Sequence, residues 1–182
     1  RRFWAKRLES EVRPRLLSKL YPEITGLSGG SFLSAFFGKD LEKTDFAFYS
    51  HLIRRNNTAR TRRFLKDRPV SDDPTADSIF ADISLPPAFN SWSHLGQAQY
   101  LEITTFLSTY LLSAQGDRMS MANSVEGRYP FLDYRLVDFA NRLPAGLKLP
   151  GLSEKLILRR FGRKLLPPSI WQRRKKPYRA PI

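Results

Sequence analysis

The sequence predicts a mainly α-helical protein, on three observations. Apolar residues recur at three- and four-residue spacing through most of the 182 positions. Alternating, strand-like runs are hard to find. Hydrophobic residues make up 41% and aromatics 13%, enough for one core and too much for a disordered chain. Neither internal repeats nor low-complexity tracts interrupt the pattern.

Taken in order, Trp4, Leu8, Val12, Leu16 and Leu20 form an apolar stripe, and Pro14 is expected to break or kink that helix. A short helix after Ser28 carries Phe32, Leu33, Phe36 and Phe37 and stops at Gly38. Phe46, Tyr49 and Ile53 follow at helical spacing, and Thr58 is placed to cap another short helix through Phe64 and Leu65. Residues 67–92, rich in Pro, Asp and Ser, read as loops around one short helix, a connector or lid. Ile103, Phe106, Leu107, Tyr110 and Leu111 are the strongest periodic set and predict a buried helix starting near Ser93. Leu132, Leu136, Phe139, Ala140 and Leu143 form the next stripe, closed by Pro144. The last helix is predicted from about Glu154 to Leu165, with Leu158, Phe161 and Leu165 inward.

Composition narrows the chemistry. With 31 Lys and Arg against 17 Asp and Glu, the formal charge is +14, which favours anionic partners such as nucleotides, nucleic acid, acidic proteins or a membrane surface. The lack of Cys excludes disulfides, thiolate metal sites and a Cys nucleophile, and the two His, His51 and His94, lie too far apart in sequence to suggest a zinc site. No run of about 18 apolar residues suggests a membrane helix, so no membrane partner is expected. No signal peptide is recognisable, the first residue is Arg1 rather than Met, and a cytoplasmic piece of something longer is the expectation.

Three stretches invite a functional reading. Ser28-Gly29-Gly30 has the small residues that let backbone N–H groups face a phosphate, but Phe32 and Leu33 stand where polar partners are needed, so a helix start is expected there. The run Arg54 to Phe64 holds five Arg and reads either as a solvated helix face or as a phosphate-backbone contact. The segment Gly116 to Asp133 gathers both Met with Asp117, Arg118, Ser120, Glu126 and Arg128. On its residues alone, Asp117 caps a short helix, Glu126 pairs with Arg128 and the Met side chains fill core.

That last segment resembles the C-terminal signature of the asparagine synthetase family, approximately D-R-x-S-M-A-x-S-x-E-x-R-x-P-F-L-D. Here the positions are Asp117, Arg118, Ser120, Met121, Ala122, Ser124, Glu126, Arg128, Pro130, Phe131, Leu132 and Asp133. The blocks RLVDFANRLPAGLKL and EKLILRRFGRKLLPPSIWQRRKKPYRAPI extend the resemblance, strong over 97–182 and fainter over 1–66. It implies the helical C-terminal portion of an adenine-nucleotide α-hydrolase-like (pyrophosphate-loop) synthetase domain whose parallel sheet lies upstream, with residues 1–182 a truncated part of that domain.

The resemblance further implies an ATP-dependent, glutamine-dependent amidotransferase. A carboxylate, aspartate in the founding members, is activated as its acyl-adenylate and then amidated by ammonia, with Mg2+ accompanying ATP. Lys175 and Asp117 match the family's catalytic positions, and Arg118 and Ser120 are implied to line the substrate pocket. Lys176 is the neighbour with which Lys175 competes, Arg174 replaces the usual Pro before that Lys, and Tyr178 and Arg179 follow closely. The pyrophosphate loop Ser-Gly-Gly-x-Asp-Ser, the motif Gly-Glu-Gly-x-Asp-Glu and the glutaminase domain are not found in these residues. Those portions are implied partners, a homo-oligomer is left open, and the chain alone is expected to be inactive. The alternative function is a basic helical module that binds nucleic acid through Arg54 to Arg63 and the C-terminal tail, or one that docks an acidic partner protein; beside the resemblance, a nucleic-acid partner is not expected.

Overall fold

The structure is a computed structural model that describes residues 1–20, 32–61, 64, 80 and 83–173. It divides into two compact units, Arg1–Gly127 and Arg128–Ile182. Among the described residues every regular element is helical and none is a strand.

In the first unit the predicted N-terminal helix is three short ones, Arg2–Ala5, Val12–Arg15 and Leu17–Leu20. The break falls at residues 6–11 rather than at Pro14. Pro14 lies in the first turn of Val12–Arg15, where its missing N–H costs no hydrogen bond. Residues 32–37 are helical and stop at Gly38 as expected. The stop needs glycine because a Cβ there would sit 2.6 Å from the backbone oxygen of Ser34 and 3.1 Å from the Trp4 ring. Arg1 fastens this region. Its guanidinium donates to the carbonyls of Phe37, Lys39, Asp40 and Tyr49 and lies 4.4 Å over the Tyr49 ring.

The helix expected from Phe46 is instead a series of turns. The N–H groups of Phe46, Tyr49 and His51 donate to carbonyls three residues back, at 3.1, 3.0 and 2.9 Å. Spacing by three fits such turns as well as it fits a helix, which begins only at Leu52 and runs Leu52–Thr61. Thr58 lies inside that helix and donates to the Arg54 carbonyl, 3.0 Å away, so it caps nothing.

The core of this unit is aromatic. Phe48 stacks on Phe80 at 4.0 Å with the rings 8° from parallel. Phe89 and Leu101 complete the buried cluster, flanked by Phe46, Ala47, Ile83, Leu85 and Tyr100. Burying four such side chains contributes on the order of 1.5–3 kcal/mol each.

Out of that core runs one continuous helical rod: His94–Glu102, Ile103–Asp117 and Arg118–Ala122. The rod starts near Ser93 as predicted, and Ser93 caps it, its Oγ accepting the Gly96 N–H at 3.1 Å. The middle portion is wound as a π-helix, and the Arg118 N–H at its end reaches the Ser113 carbonyl five residues back. The hydroxyls of Thr104, Thr105, Ser108 and Thr109 each donate to the carbonyl four residues back, at 2.9, 2.6, 3.1 and 2.9 Å. Each hydroxyl bonds the carbonyl that the amide of its own residue uses in an α-helix. The burial expected here is not observed. No residue of Ile103–Asp117 is fully buried, and Tyr110 is 46% exposed.

The second unit contains helices Tyr134–Arg142, Ala145–Lys148, Leu156–Gly162 and Pro168–Trp171, with 3-10 turns at Pro130–Leu132 and Pro150–Leu152. Asp133 caps the first, accepting the Arg135 N–H at 2.9 Å, and the helix ends before Pro144 as expected. The helix predicted from Glu154 to Leu165 is shorter, because Lys155 takes a left-handed conformation at φ 55° just before it starts. Gly162 is buried against Trp171 and Leu166. Leu158, Phe161 and Leu165, expected inward, are exposed.

Candidate functional site

The end of the rod carries the signature residues. Asp117 closes the π-helical portion, and Arg118 and Ser120 stand on the short helix Arg118–Ala122 that continues it. Asp117 and Ser120 are three apart and so share a face, with Arg118 about a quarter-turn round. Asp117 does not cap the helix: its backbone is right-handed helical and its side chain makes no capping bond. A second expectation for this segment fails too, since Met119 and Met121 are exposed rather than core. Asp117 and Arg118 are solvent-facing and Ser120 half-buried, a carboxylate, a guanidinium and a hydroxyl open to a ligand.

Backbone bonding ends this helix sharply. The Val125 N–H reaches the Ser120 carbonyl at 2.8 Å and the Ser124 N–H reaches that of Met121 at 3.1 Å. This is the Schellman pattern, which puts its turning residue in the left-handed region. That residue is Ser124, at φ 56°, where glycine is the relaxed choice. Holding a serine there costs about 1 kcal/mol, strain of the kind that collects beside functional sites.

The remainder of the signature, from Arg128 to Asp133, falls in the second unit. Asp133 is gripped by Arg135 through Nε at 3.0 Å and Nη2 at 2.7 Å, which holds its carboxyl below the usual range. Further along, Arg159 donates to the carbonyls of Glu154, Gln172 and Arg173, each at 3.1 Å. It thereby fixes the chain up to Arg173. Lys175, Lys176, Tyr178 and Arg179 lie outside the described residues, as do Ser28, Gly29 and Gly30. Of the four predicted site residues, the structure thus brings together Asp117, Arg118 and Ser120.

A polar cluster that the sequence did not reveal lies at the root of the rod. Glu102 receives Arg54 through both its oxygens, at 2.8 and 3.1 Å, and His51 Nε2 at 2.9 Å. Ser50 Oγ lies 2.9 Å from His51 Nδ1, and the Arg54 guanidinium rests 4.5 Å over the Phe106 ring. Burial disfavours charge on His51 and lowers its pKa, outweighing the Glu102 contact that pulls it up. Burial pushes Glu102 upward, but hydrogen bonding and charge from Arg54, then His51, bring it below its usual value. With Glu102 ionised and His51 neutral, Nε2–H donates to the carboxylate and Nδ1 accepts the Ser50 hydroxyl. The pair with Arg54 is half exposed, worth at most about 1 kcal/mol to stability.

One sequence signal did mark this cluster: Glu102 is the single charged residue between Leu95 and Gly116. The cluster also revises the Arg54 to Arg63 run. Arg54 is spent on Glu102, and Arg55 is buried with its guanidinium 5.0 Å over Phe80. Neither is a free phosphate contact. Among the described residues no group of three or more His, Cys, Asp and Glu is arranged to hold a metal ion, and no helix is long and apolar enough to cross a membrane.

The profile of the asparagine synthase family matches residues 8–182. The amidase chyE of Penicillium rubens is 38% identical over 96 residues, 50% of this chain and 14% of that protein. Asparagine synthetase [glutamine-hydrolyzing] 1 of Bacillus subtilis is 34% identical over 93 residues, 51% of this chain and 15% of the relative. A putative asparagine synthetase [glutamine-hydrolyzing] of Mycobacterium tuberculosis is 33% identical over 108 residues, 58% and 16% of the two chains. The matched stretches thus span about one seventh of these relatives. No solved structure matches the chain. The profile covers far more than half of the sequence and includes the signature on its exposed helix end, and on that ground the chain belongs to the asparagine synthase family.

Proposed function

We propose that residues 1–182 form the C-terminal part of the synthetase domain of an ATP-dependent, glutamine-dependent amidotransferase, with the pyrophosphate loop, its parallel sheet and the glutaminase domain supplied by other parts of the enzyme. The observation that carries this reading is the family match over residues 8–182, with Asp117, Arg118 and Ser120 presented together at the end of the rod. In the reaction, a carboxylate oxygen of the substrate, aspartate by family resemblance, attacks the α-phosphorus of ATP and pyrophosphate leaves. Ammonia then attacks the acyl-adenylate carbonyl, and AMP departs as the amide forms.

Negative charge grows on the phosphates in the first step and on the carbonyl oxygen in the second, so fixed cations are the main requirement. Lys175 supplies a mobile point charge for both. Charge distribution supports this: fourteen of the 31 Lys and Arg, but three of the 17 Asp and Glu, follow Gly127. Asp117 orients the amine or a hydrated metal–phosphate group, while Arg118 and Ser120 hold substrate oxygens. Mg2+ would enter as a companion of ATP, with Asp117 as the carboxylate available to it, and would neutralise phosphate charge. The chain alone is inactive on this reading.

In the whole protein, Lys175→Ala and Asp117→Asn should each lower amide synthesis at least about 100-fold, while glutamine hydrolysis persists. Near-normal synthesis in both variants would overturn the assignment.

A further inference from the structure

We propose that Glu102 is a positioning residue for the site at the far end of the rod: by joining Arg54 and His51 it sets the direction in which Asp117, Arg118 and Ser120 are presented. The inference rests on the functional reading given above for those three residues.

The rod leaves the core at Leu101, which is buried beside Phe89. The next residue, Glu102, ends the α-helical portion and starts the π-helical one, with helical backbone on both sides of the junction. Two side chains from the 50–54 segment converge on its carboxylate: Arg54 from the helix Leu52–Thr61 and His51 from the turn before it. Arg54 also covers Phe106 one turn further on. The paired N–H bonds fix the guanidinium in the carboxylate plane, and His51 approaches from a second direction. Such a clamp resists rotation of the rod about its own axis as well as tilt.

Asp117 is fifteen residues beyond Glu102 in an unbroken helix. The α-helical rise sets an upper bound of about 22 Å on this lever, and the wider π winding makes it shorter, so a tilt of about 5° at the clamp displaces the far end by roughly 1.5 Å. Displacements of about 1 Å can cost a hundredfold in rate. Among the described residues, side chains at 108–111 are exposed and those at 112–114 half-buried, so the clamp and the adjoining core are the described polar and fully buried attachments at the root of the lever.

The test uses Arg54→Lys, Glu102→Gln and the double variant in the whole protein. Amide exchange across 103–117, read by mass spectrometry, should speed several-fold in each single variant while residues 46–49 and 89–92 of the core keep their protection. Arg54→Lys keeps the charge and removes only the fork, so it serves if Glu102→Gln does not fold. Amide synthesis should fall about 10-fold or more in kcat with the KM for ATP nearly unchanged, and the double variant should lose little beyond either single one. Unchanged exchange across 103–117, or additive losses, would overturn the proposal. Failure of the functional reading is seen separately, as full synthesis by Asp117→Asn with the exchange result intact.

Discussion

At the scale of single residues, His51 shows how burial and pairing compete. Its imidazole is nearly enclosed and faces two charged groups, Glu102 and Arg54. The pKa is lowered by burial, so the unfolded chain takes up a proton before the folded one does. Stability from this group is complete above the ordinary histidine value of about 6.5 and drains away as pH falls below it. Glu102 is also lowered, so its contribution persists to lower pH and is lost as pH falls through its folded value. Urea midpoints measured between pH 7 and 5 should therefore decline, and His51→Gln should flatten that part of the curve. An undiminished slope in the variant would assign the decline elsewhere. The sequence shows Glu102 as a lone charge, but the 51-residue separation from His51 hides the partner.

At the scale of elements, local chemistry decided where helices start and stop. Ser93 and Asp133 cap as their residue types dictate, and Gly38 ends its helix by absence of a side chain. Because a Cβ at position 38 would sit 2.6 Å from a backbone oxygen, the obstacle cannot swing away as a side chain would. Gly38→Ala should destabilise the chain by about 1–3 kcal/mol, read from denaturant unfolding. A neutral or stabilising effect would show that the 32–37 turn is free to shift. Spacing alone misjudged the rod: apolar residues at 103, 106, 107, 110 and 111 have helical period, yet they are not enclosed. Period reports conformation, while burial depends on what packs alongside. The π winding was equally hidden, because apolar spacing does not distinguish it from an α-helix.

At the scale of the whole chain, buried apolar material is concentrated in the first unit. Phe48, Phe80, Phe89 and Leu101 lie there, whereas Phe131, Tyr134, Phe139, Phe161 and Leu165 of the second unit are exposed. Amide exchange should consequently be slowest at 48–55 and 98–104 and much faster through 134–171, because opening free energy follows local apolar burial. Equal protection across both regions would contradict this distribution.

What the sequence determined by itself is what short-range rules encode: a mainly helical chain, a helix start near Ser93, the stop at Gly38, and a family signature legible from Asp117 to Asp133. Tertiary structure alone decided which charges are spent and which are offered. Arg54 belongs to Glu102, Arg55 lies buried over the Phe80 ring, and Asp117 and Arg118 stand exposed. Periodicity and capping act over three to five residues, so they are written locally. Pairings across about fifty residues form only when the folded backbone brings their ends together, and no local pattern records them.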